Sequence, residues 1–152
     1  MVRIDFTLEV ARPAAEVFAR LVDLERLPEW QESALGSSAD GPIAVGTRIK
    51  EHRRIMGREL ENELEVTAFD PPRRFALKAL GGPVPFSVDH ELTENGGSTR
   101  LRVIAEAKTG TFMKLAEPML ARTAEQELRK DFERLKSQLE AGGYPSQPAP
   151  VD

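Results

Sequence analysis

Residues 47–55 and 58–68 flank the dipeptide Met56-Gly57 and carry complementary charges at every second position. A two-residue turn at Met56-Gly57 sets Arg48 opposite Glu65, Lys50 opposite Glu63, His52 opposite Glu61 and Arg54 opposite Glu59. An exposed cross-strand ion pair contributes only about 0.2–1 kcal/mol, but a one-residue slip would misplace all of these at once. The ladder therefore specifies a hairpin in one register. Strand side chains alternate, so with the charges outside, Ile49, Leu60, Leu64 and Val66 point inward. Glu51, Arg53 and Asn62 point inward with them. A polar group on an apolar sheet face is the first place to look for a binding or catalytic site.

The 152 residues suffice for one core and are too few to expect two, so a single fold carries any site. At 40% hydrophobic and 30% charged residues, with no apolar stretch of membrane-spanning length, the chain is expected to be soluble and to have no integral membrane association. It opens on the alternating run Val2 to Val10, unlike the basic start and apolar block of a secretory signal, which predicts a cytoplasmic location. Having no Cys excludes disulfides, thiolate metal sites and a Cys nucleophile. The net charge of -4, with Arg and Lys set opposite acids, argues against a nucleic-acid partner.

The first strand places Ile4, Phe6, Leu8 and Val10 on one face. Pro13 suits the first position of a helix whose apolar stripe is Val17, Phe18, Leu21 and Val22. Asp23 is positioned to cap a second short helix ended by Pro28, and a weak strand is expected within residues 31–38. Beyond the charged hairpin, Phe75, Leu77 and Ala79 are expected to face Ala68, Val66 and Leu64. After a break at Gly81-Gly82-Pro83, Phe86, Val88, His90 and Leu92 share the inner face. A turn at Asn95-Gly96 would pair Glu91 with Arg100 and Asp89 with Arg102, and place His90 beside Leu101. Val103, Ala105 and Ala107 continue that face. A long helix is expected over residues 111–140, with Leu128, Phe132, Leu135 and Leu139 along its apolar stripe and a kink at Pro118. Residues 142–152, rich in Pro and without periodicity, are expected to be a disordered tail to a domain spanning 1–141.

This order of elements is that of an α+β helix-grip fold, and short motifs strengthen the likeness. They are Arg12-Pro13-Ala14-Ala15-Glu16-Val17-Phe18, Leu27-Pro28-Glu29-Trp30, Val45-Gly46-Thr47 and Phe69-Asp70-Pro71-Pro72-Arg73-Arg74-Phe75. Together, over roughly residues 2–141, the chain resembles the START-like (SRPBCC) superfamily, specifically its polyketide cyclase/dehydrase and lipid-transport branch. The resemblance implies a curved antiparallel sheet gripping the C-terminal helix, with an apolar cavity between them. It does not imply one activity, because the superfamily includes carriers, aromatase/cyclases, hormone receptors and co-chaperone modules.

Each candidate site residue has a structural alternative. His90 on the apolar face is either a ligand-facing neutral base or donor, or a core histidine satisfied by a neighbour. Glu51 and Arg53 either orient a ligand as a buried pair or overhang the core and stay solvated. Asn62 either contacts a ligand or pairs with Glu51. Trp30, the only tryptophan, either closes the cavity mouth or is ordinary core. Phe75, Leu77, Phe86, Val88, Leu101 and Val103 would line the cavity from the sheet, and Phe112, Leu115 and Met119 from the helix. His52 and His90 fall on opposite faces, so no metal site is expected, and nothing calls for a cofactor. Ser87 has outward parity, which leaves no Ser-His pair beside His90.

The leading expectation is a protein that binds or carries a small hydrophobic or amphipathic molecule, a lipid, polyketide-like or aromatic compound. The alternatives are a cyclase/dehydratase, in which His90 moves a proton while Arg53 steadies an enolate, and a protein-interaction module with no small ligand. Ligand identity and oligomeric state are beyond the reach of sequence patterns.

Overall fold

The computed structural model describes residues 1–81, 84–110 and 115–142. Seven strands, β1 (Val2–Val10), β2 (Ala34–Ala39), β3 (Arg48–Ile55), β4 (Arg58–Asp70), β5 (Arg74–Gly81), β6 (Phe86–Asn95) and β7 (Ser98–Ala107), form one antiparallel sheet. Its order is β1-β7-β6-β5-β4-β3-β2, so the open ends are the first two strands of the chain. Helix α1 (Ala14–Leu21) and a 3₁₀ segment, Leu24–Glu29, connect those two strands, and α2 (Glu117–Glu140) follows the last. This is the expected curved, open helix-grip arrangement.

Burial along β1 alternates without exception, Val2, Ile4, Phe6, Leu8 and Val10 inside and the residues between them exposed. The charged hairpin has the register the ladder dictates, with Arg48, Lys50, His52 and Arg54 opposite Glu65, Glu63, Glu61 and Glu59. Both turn residues have positive φ, 54° at Met56 and 78° at Gly57, the geometry that matches the twist of a tight hairpin. Phe132, Leu135 and Leu139 of α2 close the core, Phe132 meeting the Phe6 ring edge-on at 5.9 Å.

Five local expectations are corrected. The β6–β7 turn is Gly96-Gly97, not Asn95-Gly96, so Glu91 faces Arg102 and His90 faces Val103 rather than Leu101. Moving the turn by one residue moves each partner by two, which leaves every side chain on its expected face. The exterior ion pairs accordingly run elsewhere: Arg100 to Glu9, Arg102 to Asp5, and Asp89 to Arg74. Between Val66 and Ala68 the β4–β5 register shifts, setting Phe75 opposite Phe69 instead of Ala68. That irregularity turns Phe69 toward α1, where it packs 5.7 Å from Phe18.

Pro118 is not in the interior of α2, whose described span opens at Glu117. It lies in the first turn of α2, where its missing N–H costs nothing. Pro28 lies inside the 3₁₀ segment rather than ending it at Leu27, and Asp23 makes no side-chain cap. Phe112, residues 82–83 of the Gly81-Gly82-Pro83 break and the expected tail from 143 onward lie outside the described residues.

Candidate functional site

The inner face of β3 carries Glu51 and Arg53 one above the other, and β4 places Asn62 directly across from Glu51. Glu51 is 4% exposed. Its carboxylate accepts from Arg53 Nη2 and from Asn62 Nδ2, each at 3.1 Å, and forms an ion pair with Arg53, whose Nε lies 3.1 Å away. Arg53 also donates to Gln31 Oε1 at 2.6 Å and to Ser33 Oγ at 2.8 Å, tying β3 to the segment between the 3₁₀ turn and β2. Glu51 and Arg53 thus form a pair at the inner face, Glu51 buried and Arg53 half-buried. Asn62 is its structural partner.

These groups stand at one side of a cavity of about 50 Å³. Leu21, Leu24, Leu27, Ile49, Leu64 and Leu77 supply its apolar wall. Trp30, Gln31, Ser37, Glu51, Arg53, Phe75 and His90 complete it. The space admits a few water molecules and is well below the roughly 300–1,000 Å³ of a site that encloses a drug-sized ligand. A wider depression of about 490 Å³ follows the solvent side of α2 between Arg129, Lys130, Glu133, Arg134 and Ser137. Each of its cations is matched to an acid on the same helix, Arg129 to Glu125, Lys130 to Glu127 and Arg134 to Asp131. The interior cavity, where apolar and polar groups converge, is the candidate site.

His90 is held on three sides. Its ring stacks on Phe75 at 5.7 Å, tilts against Phe132 at 5.8 Å, and its Nδ1 lies 2.8 Å from the Phe75 carbonyl oxygen. A carbonyl only accepts, so Nδ1 carries the proton and Nε2 the lone pair. Burial holds the pKa of His90 below its ordinary value, more than the Phe75 carbonyl and Asp89 raise it, which keeps the imidazole neutral at pH 7. Trp30 is 1% exposed and packs 5.0 Å from Phe132. Among the described residues its Nε1–H has no acceptor.

At the edge of this site, Asp131 of α2 accepts from the Glu32 backbone N–H at 3.2 Å and pairs with Arg134. Desolvation raises its pKa, against the Glu32 N–H and the cations of Arg134 and Arg53.

The other sequence candidates are placed as follows. Leu77 lines the cavity, whereas Phe86 and Val88 are half-buried on the same face beyond it. Leu101 and Val103 are fully buried in the solid core. Leu115 and Met119 are 99% and 74% exposed, so they do not roof the sheet. With α2 starting at Glu117, the turns that would have carried them over the sheet are not part of that helix. Sequence reading missed Gln31 and Ser33, which come from a stretch with no clear period. Their only signal was proximity to Trp30.

The family described as polyketide cyclase/dehydrase and lipid transport matches residues 1–140. The chain belongs to that family. Solved structures extend the likeness at the level of fold. A START superfamily protein from Mycobacterium smegmatis is 19% identical, with 91% of this chain and 99% of that one covered at a TM-score of 0.74. The Zhui aromatase/cyclase from a Streptomyces species is 16% identical, with 97% and 98% covered at 0.77. A conserved protein from Geobacillus kaustophilus is 20% identical, with 93% and 97% covered at 0.77. No curated protein matches the chain. The polyketide cyclase/dehydrase and lipid-transport branch read from the motifs is therefore the family of this protein, and its fold is the helix grip. Among the described residues no group of three His, Cys, Asp or Glu side chains is placed to hold a metal, and no helix is long and apolar enough to cross a membrane.

Proposed function

We propose that this member of the polyketide cyclase/dehydrase and lipid transport family binds a small hydrophobic or amphipathic molecule in the cavity that its sheet forms with α1 and the 3₁₀ segment, not against α2 as the sequence led us to expect. The observation that carries the reading is the cavity itself, whose leucine and isoleucine wall converges on Trp30, His90 and the Glu51–Arg53 pair. Apolar contact supplies most of the affinity and the polar groups set orientation. The observed volume accepts one end of such a molecule, with the remainder directed past the half-buried Leu24, Gln31, Ser37 and Arg53.

A cyclase or dehydratase activity is the second reading, favoured by one feature, a neutral imidazole with a free lone pair at the cavity wall. Against it, Arg53 is engaged by Glu51, Gln31 and Ser33, leaving its charge already matched rather than poised for an enolate.

Native mass spectrometry of the purified protein, followed by extraction and identification of any added mass, tests the binding reading. A stoichiometric apolar or amphipathic compound is expected. A protein that carries nothing and takes up none of a panel of naphthalene-sized probes would sink it. In a folded His90→Ala variant, a steep loss of turnover with affinity retained would favour the enzyme instead.

A further inference from the structure

The two ends of the sheet differ in what they expose. At one end β1, β4 and β6 begin and β3, β5 and β7 finish, and the ion pair of the Met1 ammonium with Glu117, at 2.6 Å, ties the start of α2 to it. The Lys108 backbone N–H donates to the Pro85 carbonyl at 2.9 Å, joining the exit of β7 to the entry of β6. Exposed large apolar side chains gather at this end. Ile55 and Met56 lie at the β3–β4 turn, Leu80 and Val84 on either side of the β5–β6 connection, and Leu115 and Met119 at the start of α2. Met56, Leu115 and Met119 are 96%, 99% and 74% exposed. At the opposite end, among the described residues, only Val45 is comparable.

Unmatched charge is divided along the same axis. Arg58 at the turn, Lys108 after β7 and Arg122 in α2 are exposed and have no acidic partner among the described residues. The acids of this end are already engaged, Glu59 by Arg54, Glu106 by Arg3 and Glu117 by the Met1 ammonium, while Glu61 faces His52. Two further unpaired cations lie elsewhere, Lys50 in the middle of β3 and Lys136 one turn from the end of α2. The far end carries Asp40, Glu94 and Glu140, which accept backbone N–H groups and pair with no cation. Strands β6 and β7 have 10 residues each and so span roughly 30 Å, several Debye lengths of about 8 Å. The far acids, and with them the net charge of -4, are therefore screened from whatever meets the near end.

A folded partner protein requires a continuous, complementary surface. Here the apolar side chains stand on three separate connections. A bilayer interface is fluid and accepts such side chains one at a time, and its anionic headgroups attract unpaired Lys and Arg. Going beyond the cavity reading, we propose that this end of the sheet is a peripheral docking surface for an anionic lipid bilayer. Met56, Leu115 and Met119 enter the interface, and Arg58, Lys108 and Arg122 meet headgroup phosphates. The docking requires no ligand in the cavity, so it is tested separately from the binding reading.

The full chain is floated with vesicles of phosphatidylcholine alone and with vesicles containing about 30% phosphatidylserine. Binding to the anionic vesicles is expected. It should weaken at least about tenfold on neutral vesicles, in the triple variant Arg58→Gln, Lys108→Gln, Arg122→Gln, and in the triple variant Met56→Ser, Leu115→Ser, Met119→Ser. Val45→Ser and Lys136→Gln, which alter the same residue types elsewhere, should leave it unchanged. All of these side chains except that of Lys136 are exposed, and thermal unfolding confirms that each variant is folded. Failure of the wild type to float with either vesicle would overturn the proposal, and so would an equal loss in the two controls. Equal binding to neutral and anionic vesicles would overturn the role of the cations. A dimer that the apolar variant disperses, or a protein partner that it releases, in the absence of vesicle binding would reassign the surface and overturn the bilayer.

Discussion

Replacing Glu51 by Leu should destabilise the protein by about 3 kcal/mol, chiefly through what it leaves behind. The carboxylate accepts from Arg53 Nη2 and from Asn62 Nδ2 and pairs with Arg53 Nε, all at 3.1 Å, and Glu51 is 4% exposed. Leu removes every one of these acceptors. Breaking a buried ion pair by deleting one partner costs roughly 3–5 kcal/mol, because the other charge stays behind. Arg53 retains Gln31 and Ser33 and has 20% of its side chain exposed, which places its share at the low end. Asn62, 7% exposed, loses its acceptor at about 1–3 kcal/mol, and the added apolar contact of Leu with Ile49 and Leu64 offsets a similar amount. Removing both charges, as Glu51→Leu with Arg53→Met, should cost only about 1 kcal/mol, since no ion is stranded. Urea unfolding of the wild type, the single and the double variant measures this, with m values compared to confirm two-state behaviour. The single variant should lower the melting temperature by on the order of 10 °C. Equal costs for the single and double variants, or a single cost below about 1 kcal/mol, would refute the stranded-charge reasoning.

Two further predictions concern pH and the hairpin. Because His90 in the folded protein protonates below its ordinary value of 6.5, the unfolded chain binds more protons in the interval beneath 6.5. The stabilisation of the neutral ring is therefore full above about pH 6.5 and is lost as pH falls toward the lowered folded value. Urea midpoints of wild type and His90→Phe should converge between pH 8 and pH 5.5, and a constant gap would contradict the assignment. Asp131 has its pKa raised from 3.8, so the folded state binds the extra proton there and the slope from this group has the opposite sign, above pH 3.8. At the hairpin turn, Met56 holds φ of 54° with 96% of its surface exposed, a conformation Asn adopts with less strain. Met56→Asn should raise stability by about 0.5–1 kcal/mol in thermal unfolding, and a loss would show that the Met side chain contributes more than the turn geometry.

Strand existence, face and parity were legible in the residues alone. The β3–β4 register followed from charge complementarity, a local pattern with one good solution, and the burial of Ile4, Phe6, Leu8 and Val10 followed from alternation. Even the misplaced β6–β7 turn preserved the inward face of His90, because a turn shifted by one residue conserves parity. The inward set Glu51, Arg53 and Asn62 was likewise visible, since it depends only on the same alternation. The polyketide cyclase/dehydrase and lipid transport family was readable from motifs spread over most of the chain, and the match over residues 1–140 bears that out.

What no periodicity could supply was the meeting of distant segments. Gln31 and Ser33 reach Arg53 only because the chain after the 3₁₀ turn runs past the end of β3, and no local rule sets that path. The β4 irregularity that brings Phe69 to Phe18, and the start of α2 at Glu117 that leaves Leu115 and Met119 in solvent, arise where packing or a proline overrides pattern. Cavity volume is a small difference between large filled volumes, settled by how Phe132, Trp30 and His90 pack together. The sequence by itself determined which side chains face inward, because alternation is a local property of the backbone. Only the tertiary structure decided which of them share hydrogen bonds and which are left facing an open space, because that depends on contacts between segments far apart in the chain.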